Sequence, residues 1–516
     1  MTPPKNNKKH VVIVGAGAAG MSCAATLANH PDRYKVTLLE ACGVVGGQAT
    51  SIPLDENKYG AAWMNNGVQG GSPIFKHTFK FFEQYDHPAR EVQLQVAFGK
   101  GEDGFWTNCF PSKLIAQFSS DIKRFGFFLK FIKWTMPVFG LIPIRVMMRL
   151  FFFSKEFGDK MVYPLIALFL GTGNQTANVP SAIVERLFDD PNMKLWDYDS
   201  ETLLPNLPKM VTFGHLDEFY KKWKVDLASK GVDIRTNTEV ETVLHRSKTG
   251  VKLRIKNKLS NGTTDESYDD MVLCVLADTA LNLLGKTSTF REKLVLGGAV
   301  FYDDITITHT DSKYFEKHYE THFKPDLCAE PKSDDQKKQV AFSKGEDGSA
   351  GFRPMYYTYT YDEDPKKIEM SFNCSNYQHQ LKQANLDSGD AYEPVYQTIF
   401  LNKEESDKWT IDEIDESKII KKNWWHQLGH RWQHYLRVVP GMMFLHGKQS
   451  TLFAGSWTLV NMHELACVSG IAAAYHLGAD YIKFDDFAED FFSKYLLLSH
   501  GMIYSREEKR RQRSKK

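Results

Sequence analysis

Three closely spaced glycines near the start of the chain, Gly15, Gly17 and Gly20, follow a short apolar run at residues 10–14. The apolar run predicts a buried parallel strand, and the small and apolar residues 21–27 predict a helix after the glycines. In such a unit the first glycine allows a tight turn, and the second removes a Cβ that would block a diphosphate. The third lets helix and strand pack closely. This spacing predicts a dinucleotide-binding turn; the alternative is a glycine-rich turn without a ligand.

Two further features favour a nucleotide site at this turn. The backbone N–H groups of Ala18 and Ala19 begin the predicted helix, and a helix N-terminus carries a partial positive charge that attracts a diphosphate. A second predicted strand, residues 35–39, ends in Glu40, which lies 20 residues after the last glycine of the motif. We expect the carboxylate of Glu40 to accept hydrogen bonds from a ribose diol.

A second glycine pair follows Glu40 after five intervening residues: Gly46 and Gly47, with Gln48 next to them. This pattern resembles the extended fingerprint of the flavin-containing amine oxidase superfamily, which includes phytoene desaturase-like and protoporphyrinogen oxidase-like enzymes. The resemblance implies FAD rather than NAD, since proteins that bind only NAD do not need the second glycine pair. It also implies noncovalent FAD, because the cysteine that binds flavin covalently in this superfamily usually belongs to a segment other than that of Cys467. Many members carry a basic residue after these glycines. Here Gln48 can donate hydrogen bonds but brings no charge to the phosphates.

Two later segments resemble the same superfamily. Within 231–243, the resemblance implies that the backbone of Val240 meets the adenine edge. Near the end of the chain it implies that a strand ends at Gly455 and Ser456 beside the diphosphate. The small-residue helix 462–474 would then point its N-terminus at the flavin ring, where it can stabilise negative charge. This closing segment resembles a subgroup of predicted amine-oxidase-like flavoproteins.

His463 and Glu464 begin that helix and are the predicted catalytic residues. The alternative is that both residues simply cap the helix. Asn65 and Asn66 fall where members of the superfamily place residues near the flavin, without an assigned role. The expected chemistry is hydride transfer from a substrate carbon to flavin N5, which requires a C–H bond held about 3–3.5 Å from N5. A base is needed only when a proton also leaves.

Residues 125–153 are rich in phenylalanine and contain the basic residues Lys130, Lys133 and Arg149. The longest uncharged run, 134–144, is too short for a membrane span of about 20 residues. One interpretation is a set of helices that line a substrate lobe. The other is a basic-aromatic surface that makes peripheral contact with a membrane. Both interpretations imply a large apolar pocket and therefore a hydrophobic small-molecule substrate.

Three functions remain open from the sequence. The first is an FAD-dependent oxidoreductase, an oxidase or desaturase that takes hydride from a lipid-like or polycyclic substrate. The second is a redox-neutral, flavin-dependent fatty-acid double-bond isomerase. The third is a non-catalytic, FAD-bound scaffold.

The expected fold class is α/β, with a Rossmann-type FAD-binding domain assembled from discontinuous segments and a mixed α+β substrate domain. A C-terminal helix and basic tail are expected at 486–516. The predicted FAD-binding segments are 8–75, 210–290 and 440–485, and the predicted substrate segments are 76–209 and 291–439.

Three local patterns give further predictions. Alternating polarity within 356–373 predicts antiparallel strands. The charged, glycine-containing stretch 332–351 predicts a mobile loop. His426, His430 and His434 recur every fourth residue, which predicts one face of a core or pocket-lining helix. No carboxylate or cysteine set accompanies them, so the sequence predicts no metal site.

Composition narrows the classes of partner. With 64 Lys and Arg against 63 Asp and Glu, the formal net charge of +1 argues against a general nucleic-acid binder. Seven cysteines without a CxxC pair suggest reduced thiols. Neither a signal nor a transit peptide precedes the strand at residue 10, so we expect a cytoplasmic protein, membrane-associated if 125–153 touches a bilayer. The oligomeric state is left open.

Overall fold

Five short strands of the nucleotide-binding region form one parallel sheet, here called the nucleotide sheet. The computed structural model describes residues 8–389 and 391–515. The side chains of 511–515 and all of residue 516, which belong to the predicted basic tail, lie outside the described residues. Numbered along the chain, the strands lie in the order 3-2-1-4-5, the order of a Rossmann fold. They are Lys9–Val14, Tyr34–Leu39, Asp233–Arg235, Asp270–Leu273 and Thr451–Phe453.

Two helices from opposite ends of the chain pack directly on one another beside this sheet. They are Ala18–Ala28 and His463–Leu477. A Cβ on Gly470 would lie 2.0 Å from the carbonyl oxygen of Ala19, so the crossing leaves no room for a side chain at this position. The first and last segments of the chain therefore meet at the nucleotide sheet. Further helices here are Leu216–Ser229, Ala277–Leu284 and Phe290–Leu296.

A three-stranded antiparallel meander links the third and fourth strands of the nucleotide sheet. Its first strand begins beside Glu40, since the Thr238 N–H donates to the Glu40 carbonyl oxygen at 2.8 Å. The meander thus brings Val240 close to the end of the second strand. Its strands are Thr238–Ser247, Gly250–Asn257 and Thr263–Tyr268.

The rest of the chain is organised on a seven-stranded sheet. The strands predicted within 356–373 are confirmed: they pair antiparallel with Tyr356 opposite Phe372. From one edge to the other, the strands are Ile419–Leu428, Phe301–His309, Tyr396–Phe400, Ile368–Asn373, Tyr356–Thr360, Val96–Phe98 and Trp106–Thr107. Two small sheets accompany it, Ser51–Pro53 with Trp63–Asn65, and Gly70–Gly71 with Lys209–Phe213 and Ala89–Gln93.

The aromatic and basic segment forms helices, here called the helical cap. Its long helix, Ser119–Phe139, buries Phe125, Phe128 and Ile132 in the largest apolar core of the molecule. Met370 and Tyr356 of the seven-stranded sheet belong to the same core. Within 8–389 and 391–515, no helix is both long enough and apolar enough to cross a membrane. The other cap helices are Lys113–Gln117, Ile144–Leu150, Tyr163–Leu170 and Ser181–Asp189.

The remaining helices lie around the two lobes and at the C-terminus. The predicted C-terminal helix is present as two successive helices. The set comprises Glu56–Tyr59, Lys76–Gln84, Ser312–His318, Asp334–Lys344, Cys374–Tyr377, His379–Ser388, Asp486–His500 and Tyr504–Lys515.

The prediction that three histidines share one helical face is wrong. His426 lies in the strand Ile419–Leu428, His430 follows that strand, and His434 begins a π-helical turn. Pairing of this strand with Phe301–His309 overrides the local four-residue spacing, as tertiary context often does.

The predicted loop at 332–351 is also wrong over most of its length, because it contains the helix Asp334–Lys344. The hydroxyl of Ser333 accepts a hydrogen bond from the Gln336 N–H and caps the helix. Gly345 ends it in a left-handed conformation with φ +75°. The charged residues that suggested a loop form the solvent-exposed face of this helix.

Candidate functional site

The fold requires glycine at two of the three positions of the first turn, but not at the third. A Cβ on Gly15 would lie 2.6 Å from the Cys274 carbonyl oxygen, and one on Gly20 would lie 1.8 Å from the Gly15 carbonyl oxygen. Packing alone therefore requires both. Gly17 has an ordinary φ of −73°, and its Cβ would meet only the Cα of Gly47, at 3.8 Å. Neither backbone conformation nor packing requires glycine at position 17, which points to close approach by a ligand.

The second glycine pair lies against this turn. The Gly46 N–H donates to the Ala16 carbonyl oxygen at 2.8 Å. Gly46 and Gly47 have φ values of +120° and +62°, which favour glycine. A Cβ on Gly47 would lie 3.1 Å from the Cα of Gly17. Two backbone segments without side chains thus meet at the N-terminus of the first helix.

The first turn of that helix presents buried backbone donors. Ala18 and Ala19 are 8% and 5% exposed. Their N–H groups have no intrahelical acceptor because they belong to the first turn. The N-cap residue is Gly17, which has no side chain that could accept a hydrogen bond from these N–H groups. A diphosphate fits this place because the N–H donors are uncapped, the helix dipole is positive here, and the adjacent glycines have no side chains.

Glu40 follows the second strand of the nucleotide sheet and lies beside the glycine turn. Its two oxygens accept hydrogen bonds from the Ala16 N–H at 2.7 Å and the Cys42 N–H at 2.8 Å. The side chain is only partly buried. Since each carboxylate oxygen has a second lone pair, Glu40 can still accept hydrogen bonds from a diol. These residues fit the adenosine diphosphate part of FAD. Val240 lies two residues after Thr238, whose N–H donates to the Glu40 carbonyl oxygen, and it is 5% exposed.

Gly455 and Ser456 form the loop between the last strand of the nucleotide sheet and the closing helix His463–Leu477. Gly455 has φ +148°, and its N–H donates to the Ser469 hydroxyl at 2.9 Å. The Ser456 hydroxyl donates to Asn461 Oδ1 at 2.8 Å. The structure therefore brings this loop to the same end of the sheet as the glycine turn, where the strands end.

His463 lies at the N-terminus of the closing helix, as the sequence predicts, but it faces two neighbouring helices. Its Nε2 lies 2.7 Å from the Tyr220 hydroxyl, and its Nδ1 lies 3.0 Å from the Thr78 hydroxyl. Burial lowers the pKa of His463 to about 4. The imidazole is therefore neutral near pH 7, with a partner at each ring nitrogen.

Glu464 contacts the start of the helix Lys76–Gln84. Its carboxylate accepts hydrogen bonds from the His77 N–H at 2.9 Å and the Thr78 N–H at 2.8 Å, and it lies 2.7 Å from His77 Nδ1. Burial alone would raise the pKa of Glu464, but the His77 imidazole and these hydrogen bonds outweigh it and lower the pKa. The catalytic role of Glu464 stays a prediction, and its contacts favour a positioning role.

A buried amide network, not predicted from the sequence, joins the two lobes. The Gln69 amide donates to Gln397 Oε1. The Gln397 amide in turn donates to Asn66 Oδ1 at 2.8 Å and to the Thr308 hydroxyl at 3.0 Å. The Nδ2 of Asn66 is buried without a partner among the residues that the structure describes, so it is free to donate to a bound ligand. Gln397 could not be found from its local sequence because its partners lie far away in the chain.

Comparison with known proteins identifies the architecture. Residues 13–85 match the model of an NAD(P)-binding Rossmann-like domain. A CLA-producing fatty acid isomerase from P. acnes superposes with a TM-score of 0.58 and 13% identity, covering 92% of this chain and 100% of that one. Putrescine oxidase with bound putrescine gives 0.56 and 14% over 92% and 99%. Cyclohexylamine oxidase from Brevibacterium oxydans gives 0.56 and 11% over 94% and 99%. This chain has the amine-oxidase-like fold.

The predicted α/β class with a Rossmann-type domain is thereby confirmed. Among curated proteins, thiamine thiazole synthase 4 of Physcomitrium patens is 28% identical over 107 residues, 21% of this chain and 26% of the relative. The match spans about a quarter of the length of that relative. It supports a shared segment rather than a shared activity.

In this amine-oxidase-like fold, Gln48 lies near an ion-pair cluster that links the two lobes. The Gln48 amide lies 3.5 Å from the His426 carbonyl oxygen. The His426 ring contacts Asp303 at 2.6 Å through Nδ1 and Asp278 at 2.7 Å through Nε2. Burial acts against the charged imidazole, but the two carboxylates outweigh it and raise the pKa of His426. Sequence reasoning grouped His426 with the wrong partners.

Metal binding has no support in the described part of the chain. Across residues 8–389 and 391–515, no group of three or more His, Cys, Asp or Glu side chains is arranged to hold a metal ion.

Proposed function

We propose that this protein is an FAD-dependent oxidoreductase that takes hydride from a hydrophobic substrate. The observation that carries the proposal is Gly17. It is the one glycine of its motif that the fold does not require, and it lies between uncapped helix donors and the second glycine pair. Glu40, Val240, Gly455 and Ser456 lie at the corresponding end of the nucleotide sheet.

The residues of the chain have the following roles in the proposal. Ala18 and Ala19 donate backbone hydrogen bonds to the diphosphate, with Gly17, Gly46 and Gly47 admitting it. Glu40 and the backbone of Val240 hold the ribose and adenine. The Gln48 amide donates to a phosphate or ribityl oxygen in place of a basic side chain.

The reacting end of the site lies near the closing helix and the amide network. Bound FAD supplies a hydride acceptor at N5. The N-terminus of His463–Leu477 offers partial positive charge toward the ring, while Asn66 Nδ2 offers a buried donor. His463 and Glu464 fix this helix against Lys76–Gln84, so we assign them as positioning residues.

A hydrophobic substrate is supported by the apolar character of the chain beyond the nucleotide lobe. The cap core combines Phe125 and Phe128 of the long helix with Tyr356 and Met370 of the seven-stranded sheet. The neighbouring polar groups, such as Gln397, are neutral amides and hydroxyls that form bonds among themselves. These surroundings favour an uncharged, lipid-like or polycyclic molecule over a polar cation.

The test is substitution of Gly17 by alanine. The added methyl has room in the folded chain but would occupy space needed by the diphosphate. We expect wild-type protein to contain FAD, and Gly17→Ala to bind it about 5- to 150-fold more weakly, because overpacking costs about 1–3 kcal/mol. The measurement is the flavin-to-protein ratio after purification, followed by titration of the apoprotein with FAD.

Gly158→Ala is the matched control. Gly158 is also in an ordinary conformation, with φ −62° as C-cap of a short helix, and its Cβ would meet Met148 at 3.6 Å. This variant should retain wild-type flavin content. A folded wild-type protein that binds no flavin would refute the proposal, and so would a Gly17→Ala variant with unchanged affinity.

A second function is favoured by the superposition with the fatty acid isomerase, which covers 92% of this chain. Redox-neutral isomerisation would return the hydride to another carbon of the same substrate. Anaerobic addition of an unsaturated fatty acid distinguishes the two. Lasting loss of flavin colour until oxygen is added supports an oxidase or desaturase, whereas a rearranged product with unchanged colour supports an isomerase. Binding of FAD without turnover of either kind would support the scaffold.

A further inference from the structure

Large apolar side chains are exposed together on the helical cap. Trp134 is 86% exposed and Phe152 is 83% exposed. A folded protein usually buries most of such a side chain, and contiguous exposed patches mark interaction sites. The other exposed members of this patch are Phe127, Val138, Val146 and Leu150.

These side chains lie on a common surface. Phe127, Trp134 and Val138 follow one another at helical spacing along Ser119–Phe139, which places them on one face. The ring of Phe127 lies 6.2 Å from the ring of Phe151, which follows the helix Ile144–Leu150. The two cap helices therefore present one continuous apolar stripe.

The turn at Phe152 holds its ring outside the packed chain. Its φ is +56°, a left-handed conformation that is costly for a bulky residue. This strained turn leaves the aromatic ring almost fully exposed. The conformation itself belongs to the C-terminus of the helix Ile144–Leu150, because the Phe152 N–H donates to the Arg149 carbonyl oxygen and the Phe153 N–H donates to the Met148 carbonyl oxygen, both at 3.0 Å.

Unpaired cations surround the stripe. Lys123, Lys130, Arg145 and Arg149 are exposed. Within the described part of the chain, no carboxylate lies within ion-pair distance of any of these four side chains. By contrast, Lys133 pairs with Asp189.

We propose that this basic-aromatic face docks on an anionic lipid bilayer. Aromatic rings at the acyl boundary and cations at the headgroups match a monotopic membrane surface. The surface does not depend on bound FAD. Only its use, the entry of a hydrophobic substrate from the bilayer, rests on the proposed function.

The experiment is vesicle flotation of the full-length protein as purified. One set of vesicles contains equal parts of phosphatidylcholine and phosphatidylserine, and the other contains phosphatidylcholine alone. We expect binding to the first set that weakens with added salt, because salt screens the cations. Trp134→Ala with Phe152→Ala should weaken this binding by at least about tenfold.

The control removes apolar side chains of similar exposure elsewhere. Phe290 and Leu259 are each 79% exposed and lie outside the cap. Phe290→Ala with Leu259→Ala should bind vesicles like wild type. A separate pair, Lys130→Gln with Arg149→Gln, should lose most of the preference for phosphatidylserine.

Two results would overturn the proposal. The first is wild-type protein that does not float with the phosphatidylserine vesicles. The second is a dimeric mass in light scattering that falls to the monomer in Trp134→Ala with Phe152→Ala, which would make this face a contact between two copies. Flavin content is measured in the same samples. In the wild-type protein, retained flavin without flotation refutes the membrane surface alone, and flotation without flavin refutes the proposed function alone.

Discussion

Glu464 is a predicted site residue with a buried carboxylate. Its carboxylate is 3% exposed and accepts two backbone hydrogen bonds at the start of the helix Lys76–Gln84. In Glu464→Gln the shape is kept, but the charge is lost and an amide N–H₂ can face these donors. We expect the free energy of unfolding to fall by about 2–4 kcal/mol, measured by denaturant titration.

The pH dependence gives a second check on the same residue. Because the pKa of Glu464 is lowered on folding, its stabilising contribution is present above its ordinary value of 4.5 and is lost as pH falls through the folded pKa. The difference between wild type and Glu464→Gln should therefore shrink in acid. Glu83→Gln, whose side chain is 71% exposed, is the matched control and should change little. Equal stability of wild type and Glu464→Gln at neutral pH would contradict the positioning role.

At this scale the sequence predicts the geometry of the glycine turn better than the contacts of side chains. Gly15, Gly17 and Gly20 belong to one contiguous turn, so local spacing specifies their geometry. The partners of His463 and Glu464 could not be predicted, because Thr78 and His77 lie 385 and 387 residues away in the chain. Only the folded chain shows that both side chains already have partners.

Among the elements, the contact between the helix Ala277–Leu284 and the strand Ile419–Leu428 should be pH-sensitive. His426 links Asp278 of the helix to Asp303 of the neighbouring strand. Since the pKa of His426 is raised, the stabilisation is fully present below its ordinary value of 6.5 and is lost as pH rises through the folded pKa. The side chain is 40% exposed, so solvent screening limits the effect to under about 1 kcal/mol.

The measurement is thermal unfolding of wild type and Asp278→Asn at about pH 6 and about pH 9, on either side of the imidazole titration. The variant should lose less stability than wild type on going to the higher pH. Asp32→Asn, an exposed aspartate elsewhere, should behave like wild type. An identical pH response in wild type and Asp278→Asn would argue against this ion-pair cluster.

Element predictions succeeded where period and turn signals agreed. The strands within 356–373 alternate in polarity and form as predicted. The loop prediction for 332–351 was wrong because it relied on the charges and glycines of this stretch. The helix-capping residue Ser333 was the signal for the helix that forms there. His426 was misjudged because a strand partner more than a hundred residues away decides its conformation.

For the whole molecule, the Rossmann topology could be predicted because the strands of the nucleotide sheet, apart from the edge strand Asp233–Arg235, are apolar runs followed by turn signals. The way the two lobes pack together could not be predicted, because it depends on contacts such as that between Gln69 and Gln397, which lie 328 residues apart. The exposed face of the helical cap could not be predicted either, because a run of aromatic residues does not show which of them pack inward. Phe125 is completely buried, whereas Phe127 is 67% exposed.

The nucleotide site joins strands from the beginning, middle and end of the chain, so FAD should stabilise the molecule as a whole. A ligand that binds only the folded state adds about 4 kcal/mol when its concentration is a thousandfold above Kd. We expect the thermal midpoint of the apoprotein to rise with added FAD in wild type and in Gly158→Ala. The rise should need much more FAD in Gly17→Ala, because the same methyl weakens binding without removing a packing contact. Differential scanning calorimetry over a series of FAD concentrations measures the thermal midpoint. A wild-type midpoint that does not change with FAD would contradict a nucleotide site built from the beginning, middle and end of the chain.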